Sequence, residues 1–369
     1  MKIDRVEAYP LTVKLRSPQV TSQASYTEIS ICLVRIFTDD GIEGVGECLS
    51  RFAPTACAEL IKQLLAPVLI GEDPTTILSL REKMRTRLNG RSGGILFEAL
   101  SGIDIALWDI VGKSLGTNIA TLLGGMNRKK VRAYASSIFV DKNVVEEGQR
   151  LVELGFDIIK LKIGGSVNQE INRVRKLRSA VGDNIKIVVD ANYIYTEYEA
   201  EQLIHGLTDY GITWLEEPIN PENREGYKRL AKYSPIALAA GENEFTAHDF
   251  TDLISSGSVQ FVQPDVTRAG GISGSREIAM LAHAFHHQYA PHVGFSGIVC
   301  IAATLQLASA MPNLFAYECM FLPNPFRDDL AIEPVGLYNQ LKNGYAVVPE
   351  KPGLGITIDW NVAKRMLVS

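Results

Sequence analysis

The chain has 369 residues, 46% hydrophobic and 21% charged, with 37 Lys+Arg against 42 Asp+Glu and a net charge of −5. That composition supplies a large core with room for a second, smaller domain, and the absence of a basic tail or stripe argues against nucleic acid as a partner. The longest apolar run, Ile298 to Met311, carries Thr304, Gln306 and Ser309 and is too short to cross a bilayer, so no membrane segment is expected. The charged start Met1-Lys2-Ile3-Asp4-Arg5 does not read as a signal peptide, and Cys32, Cys48, Cys57, Cys300 and Cys319 are scattered without a CxxC pair. Reduced core thiols and a cytoplasmic location are the expectation.

In chain order, residues 1–50 predict strands. Ile3, Val6 and Ala8 open the first, Ile29 to Ile36 make the second, and Asp39-Asp40-Gly41 turns the chain into a third ending at Gly46-Glu47-Cys48. The polar stretch Arg16 to Thr27, with Pro18, shows neither strand nor helix period and predicts a long loop. From Pro54 to Gly124 the period becomes helical, with Cys57, Leu60, Ile61, Leu64 and Leu65 on one face and Ala99, Ile103, Ala106, Leu107 and Ile110 on another. Residues 1–125 therefore predict an α+β domain.

From Val131 short apolar strands alternate with helices such as Gln169–Val181 and Gly274–Phe285. Strands are predicted at Val131–Ala135, Ile158–Ile163, Ile187–Asp190, Thr213–Glu216, Ala237–Gly241, Gln260–Gln263 and His287–Pro291, with a last one near Phe315–Glu318. Eight strands in this rhythm predict an α/β barrel of the TIM type over residues 126–324. The doubly wound alternative finds no GxGxxG after a strand. Residues 325–369, rich in Pro and Gly, are expected to fold back on the first domain.

The second barrel strand carries Lys160 and Lys162, two apart and so on one face. Two ammonium groups on a buried face need anions, whereas on an edge strand they would reach water. Acids follow at the carboxyl ends of later strands: Asp190, Glu216 and Glu242, each 26 residues from the next. One such step is one β/α unit, which sets three carboxylates on neighbouring strands at the rim where barrels place their chemistry. Three oxygen ligands suit Mg²⁺, although a strand-end acid can also cap the following helix. Asp265 and His292, 27 residues apart, end the next two strands; an aspartate beside a histidine fixes its tautomer and raises its pKa. His283, His286 and His287 have the look of structural residues on or just after a helix. Lys162 and His292 would face a substrate from opposite sides, an arrangement for removing a proton α to a carboxylate. Glu318 ends the last strand and either meets the substrate carboxylate when protonated or is a solvated strand-end acid.

Together these residues resemble the enolase superfamily in its mandelate racemase subgroup, over nearly the whole chain. Ala99 to Asp109, Gly112-Lys113 and Leu122-Leu123-Gly124 resemble the signature before the barrel, with Asn118 where a small residue or proline is usual. Lys160-Leu161-Lys162 matches the KxK motif. The resemblance implies a (β/α)7β barrel under an α+β capping domain. It further implies Lys162 as a base, Lys160 facing the substrate carboxylate, and Asp190, Glu216 and Glu242 as Mg²⁺ ligands. Glu217 matches a second, non-ligand acid, Asp265 with His292 the catalytic dyad, and Glu318 the acid on the last strand. Glu242 as third ligand and Arg268, where muconate-lactonising relatives usually have lysine, favour the racemase-like subgroup. Asn324-Pro325-Phe326-Arg327 and the Pro291-His292-Val293-Gly294 end resemble acid-sugar lactone cycloisomerases and aldarate dehydratases. A small carboxylate substrate, a homo-oligomer, and a site covered by Arg16–Thr27 and Ser50–Ala53 are implied with it. A racemase, a Schiff-base aldolase using a barrel lysine, and a non-catalytic sugar-acid binder are the competing readings.

Overall fold

The structure, a computed structural model, describes every residue except Ser92, Met126, Leu322 and Ser369, so the expected boundary at Met126 lies outside the described residues. Three antiparallel strands open the chain: β1 (Ile3–Val20), β2 (Ser25–Thr38) and β3 (Glu43–Cys48). Helices α1 (Pro54–Leu60), α2 (Ile77–Arg87) and α3 (Gly94–Ser114) pack against them, and a short α4 (Ile119–Leu122) follows, N-capped by Asn118. The capping role leaves Asn118 well accommodated at the position where the sequence departs from the family pattern.

The expected loop over Arg16–Thr27 is instead mostly strand. After a register shift between Lys14 and Gln19, pairing resumes with Gln19 opposite Tyr26 and Val20 opposite Ser25. Only Thr21–Ala24 turn, closed by Thr21 N–H donating to Ala24 O at 3.0 Å. This hairpin projects beyond the core with both faces largely wet, so the apolar–polar alternation that marks a half-buried strand is missing. Its tip crosses to the barrel, where Gln23 Nε2 donates to Asn192 O at 2.7 Å.

Eight parallel strands follow: β4 (Lys130–Ile138), β5 (Ile158–Lys162), β6 (Lys186–Asp190), β7 (Ile212–Glu216), β8 (Ala237–Ala240), β9 (Phe261–Val262), β10 (Gln288–Tyr289) and β11 (Tyr317–Met320). Between them run α5 (Val144–Glu153), α6 (Val167–Val181), α7 (Glu197–Leu207), α8 (Arg224–Tyr233), α9 (Ala247–Ser255), α10 (Gly271–Ala284) and α11 (Ile298–Ala310). β11 pairs with β4, and Tyr289 N–H to Asn313 O (2.9 Å) and Phe315 N–H to Tyr289 O (2.8 Å) join β10 to the lead into β11. The chain closes with α12 (Pro325–Asp328), β12 (Tyr345–Val347), which pairs antiparallel with β4, and α13 (Trp360–Arg365). Its end lies along β1: Thr12 N–H donates to Met366 O at 2.9 Å and Val368 N–H to Pro10 O at 3.0 Å. The end of the tail thus runs along β1.

Period-two alternation sorts the barrel interior into layers. One apolar residue per strand or strand edge forms a plug of Tyr134, Ile158, Val188, Trp214, Ala239, Phe261, Ala290 and Ala316. Two residues further along, the same alternation presents Ser136, Lys160, Asp190, Glu216, Gly241, Gln263, His292 and Glu318. The apolar plug closes the floor and the next layer is almost wholly polar.

The cap is fixed to the barrel through buried acids. Glu47 on β3 accepts from Gly297 N–H (2.6 Å) and Cys300 N–H (3.2 Å) at the start of α11. Asp104 on α3 accepts from Ser273 N–H (3.0 Å) at the start of α10, and Trp108 Nε1 donates to Ser273 Oγ at 2.9 Å. Carboxylates at helix N-termini meet unsatisfied amides and the positive end of the dipole. Asp109 binds Val45 N–H, Leu354 N–H and the Lys113 ammonium, tying sheet, helix and tail together.

Candidate active site

Lys160 and Lys162 are buried at the carboxyl end of β5 rather than on an edge reaching water. Lys160 Nζ stands 2.6 Å from Glu216, 3.0 Å from Asp190 and 3.3 Å from Glu318. Burial alone would lower its pKa, but Asp190, Glu216 and Glu318 outweigh it and hold the ammonium well above its ordinary value. Lys162 Nζ contacts Asp190 Oδ2 at 2.5 Å and Asn192 Oδ1 at 3.1 Å.

Asp190 and Glu216 end β6 and β7 in register with each other. Glu242 lies one residue out of the alternation, beyond Gly241. There φ is +136°, and a Cβ would come within 2.6 Å of the Phe250 ring and 2.9 Å of Gln263 N, so only glycine lets the backbone turn Glu242 inward. All three carboxylates offer an oxygen within 4.8 Å of the other two. Burial, then the charge of Asp190, pushes Glu216 up to about 7. Glu217, fully buried, is raised well above the carboxylate range by burial and by Glu242 and Asp190. Crowded carboxylates in so dry a place call for a cation, and hard oxygen donors suit a divalent one. The residues therefore fit a bound metal ion.

Asp265 Oδ2 holds His292 Nδ1 at 2.8 Å, which turns Nε2 toward Glu242 (3.3 Å) and Glu318 (3.8 Å). Burial opposes protonation of the imidazole, but Glu242 and Glu318, with Asp265, raise its pKa. Glu318 Oε2 accepts from Val293 N–H (3.0 Å) and Gly294 N–H (3.1 Å). Burial pushes its carboxyl up, yet Lys160, His292 and Lys162 dominate and hold it well below the usual range. Glu318 is thus an anchored acceptor, and these cations oppose the protonated state its expected donor role needs.

Every residue expected at the rim converges there. Arg268 does not reach into the centre: it donates to Glu242 O at 2.9 Å and pairs with Glu98 of the cap at 3.1 Å. His287 takes its structural place, its Nε2 3.2 Å from Ile254 O. Three further polar contacts were not anticipated. Asn192 joins Lys162 to the hairpin tip, Gln263 donates to Glu216 Oε2 at 2.8 Å, and Thr267 Oγ1 donates to Asp265 Oδ1 at 2.5 Å. Two carry a usable signal, since Asn192 is two residues beyond Asp190 and Gln263 occupies the inward position before Asp265.

A parallel barrel with acids, lysines and an Asp–His pair at one rim, beneath an α+β cap, is the architecture of an enzyme. The chain matches the family "Mandelate racemase / muconate lactonizing enzyme, N-terminal domain" over residues 5–124 and "Enolase C-terminal domain-like" over 143–362, and it belongs to the enolase superfamily. It is 36% identical over 375 residues to a D-galactarolactone cycloisomerase of Agrobacterium fabrum, covering 97% of each chain. To an arabinonate dehydratase of Saccharolobus solfataricus it is 35% identical, over 89% of this chain and 88% of that one. A racemase from Streptomyces coelicolor, solved with bound magnesium, superposes with a TM-score of 0.90 at 27% identity, covering 99% of this chain and 100% of that one. Among the described residues no helix is long and apolar enough to cross a membrane.

Proposed function

We propose that this protein is a Mg²⁺-dependent lyase or cycloisomerase that removes the proton α to the carboxylate of an acid sugar or its lactone. The convergence of three carboxylates with Lys162 and the His292–Asp265 pair at one barrel rim carries the reading. Asp190, Glu216 and Glu242 would hold the ion, which when bound supplies positive charge to the substrate carboxylate as its α C–H ionises. Lys160, held by acids yet aimed at the centre, adds a second fixed charge beside the enediolate. Lys162 or His292 takes the α-proton, according to the configuration of the substrate. The other gives a proton to the departing β-oxygen, so that the C–H and C–O electrons balance. Asp265 keeps Nδ1 of His292 occupied, leaving Nε2 for this work.

The relatives named as a cycloisomerase and a dehydratase of sugar acids support the substrate class. A racemase or epimerase would use the same pair of bases without expelling a group, and the racemase of the same fold favours it as the second reading. Aldonates, aldarates and their lactones, incubated in deuterated water and followed by NMR, test the proposal. Exchange at the α-carbon should require Mg²⁺, stop in chelator and return when the ion is restored. Loss of water identifies the dehydratase, a product of unchanged formula with the lactone C–O bond broken and a keto group at the former α-carbon identifies the cycloisomerase, and inverted configuration alone identifies the epimerase. Absence of both exchange and turnover with every hydroxy acid tried, in the presence of Mg²⁺, overturns the reading.

A further inference from the structure

Arg51 follows β3 where the cap meets the barrel mouth. Its guanidinium lies over the Phe295 ring at 5.8 Å. Its Nε is buried without a hydrogen-bond partner, and among the described residues its side chain forms no ion pair. A Cβ placed on Gly294 would lie 2.9 Å from Arg51 Nη2 and 2.9 Å from His292 Nε2, so guanidinium and imidazole border one small space. Arg51 also lines a cavity of about 250 Å³ along β2, with Tyr26, Phe52 and Phe295 among its walls. Glu28 lines that cavity too, but it is exposed and stands opposite Lys14 on β1.

A guanidinium never loses its charge, and one partly withdrawn from water beside aromatic rings calls for an anion. The neighbouring acids are engaged elsewhere: Glu98, which feels the charge of Arg51, with Arg268, Glu318 with two amides and Lys160, Asp265 with His292 and Thr267. We propose that Arg51 binds a second carboxylate at the far end of the substrate, so that this site selects dicarboxylate sugar acids or acid-bearing lactones over monocarboxylates. A carboxylate meets the guanidinium fork with two parallel hydrogen bonds, which a sugar hydroxyl cannot reproduce. The assignment rests on the α-proton chemistry proposed for this rim, since it takes the first carboxylate to be held at the acids.

The test is calorimetric binding of galactarate, a diacid, and galactonate, the matching monoacid, to the Mg²⁺-loaded protein and to its Arg51→Gln and Arg51→Lys variants. Galactarate should bind at least tenfold tighter than galactonate to the unaltered protein. Arg51→Gln should erase that preference mainly by weakening galactarate, and Arg51→Lys should retain part of it. Equal affinities in the unaltered protein, an unchanged preference in Arg51→Gln, equal weakening of both acids, or no binding of either overturns the assignment. Preferential galactarate binding with neither α-proton exchange nor turnover upholds Arg51 while removing the proposed reaction. Exchange without the preference does the reverse.

Discussion

Glu216 is held from three directions: Lys160 at 2.6 Å on one oxygen, Gln263 at 2.8 Å and Trp214 Nε1 at 3.2 Å on the other. Its side chain cannot turn away without orphaning a buried donor, so its position is set before any ligand arrives. Glu216→Gln keeps the shape but removes the charge, and sets an amide N–H₂ against one of those donors. Mg²⁺ affinity should fall at least about tenfold, with α-proton exchange falling alongside it, since even groups that only support a metal ligand carry effects of that size. His292→Asn should behave differently. It touches the proposed metal ligands only through Nε2 at 3.3 Å from Glu242, so metal affinity should change little, whereas turnover or one stereochemical course should vanish. Titrating both variants with Mg²⁺ by calorimetry and following exchange by NMR separates the two roles. Intact exchange in His292→Asn would remove it from the chemistry. Most charged members of this site were legible because steps of 26 or 27 residues recur, from Asp190 to Glu216 to Glu242 and from Asp265 to His292 to Glu318, so a strand-end group announces its neighbours. Asn192, Gln263 and Thr267 carry no such period. An amide or hydroxyl in a loop has many ordinary uses, and only the fold shows which partner it meets.

Among the elements, the barrel strands were legible because both faces are buried and the runs are short and apolar, and the hairpin of β1 and β2 was not. Its outer half lacks a core to impose alternation, yet backbone pairing and the tip's contact with Asn192 order it. The sheet–helix contact in the cap was also hidden, because glycine leaves no hydrophobic signal. Gly46 on β3 lies so close to α3 that a Cβ would sit 1.7 Å from Gly102 O, and a Cβ on Gly102 would sit 2.4 Å from Cys48 Sγ. Neither obstacle is the free end of a flexible chain, so sheet and helix would have to separate. Gly46→Ala should therefore cost about 3 kcal/mol or more, at or beyond the upper range for overpacking. A melting temperature within a degree of the unaltered protein would show that α3 can shift without penalty. The shift would be felt beyond the cap, because β3 carries Glu47, which caps α11, and leads directly into Arg51.

For the molecule as a whole, the site depends on how firmly the cap is seated, and buried acids do the seating. Asp104 was visible in the sequence only as part of a family-like signature, because its partner Ser273 lies 169 residues away. In the fold its Oδ1 receives the α10 amide, while Oδ2 is buried without a partner. Burial, against the pull of Arg81 and the Ser273 contacts, raises its carboxyl from 3.8 to about 6. The folded protein thus holds this proton more tightly than the unfolded chain does. Stability from this group is present below pH 3.8, falls as pH rises from there to about 6, and stays reduced above it. Asp104→Asn keeps an acceptor for the Ser273 amide but has no proton to lose. Whatever fixed cost the new amide brings, the stability of the variant relative to the unaltered protein should rise by on the order of 2 kcal/mol between pH 4 and 8. Urea midpoints at pH 4, 6 and 8 measure it. A gap that stays constant, or moves against the variant, would mean that Asp104 is ionised at no cost and that the α10 amides and Arg81 compensate fully for its burial. If the gap moves against the variant, the cap is anchored by charge at this contact and its seating weakens in acid rather than in base.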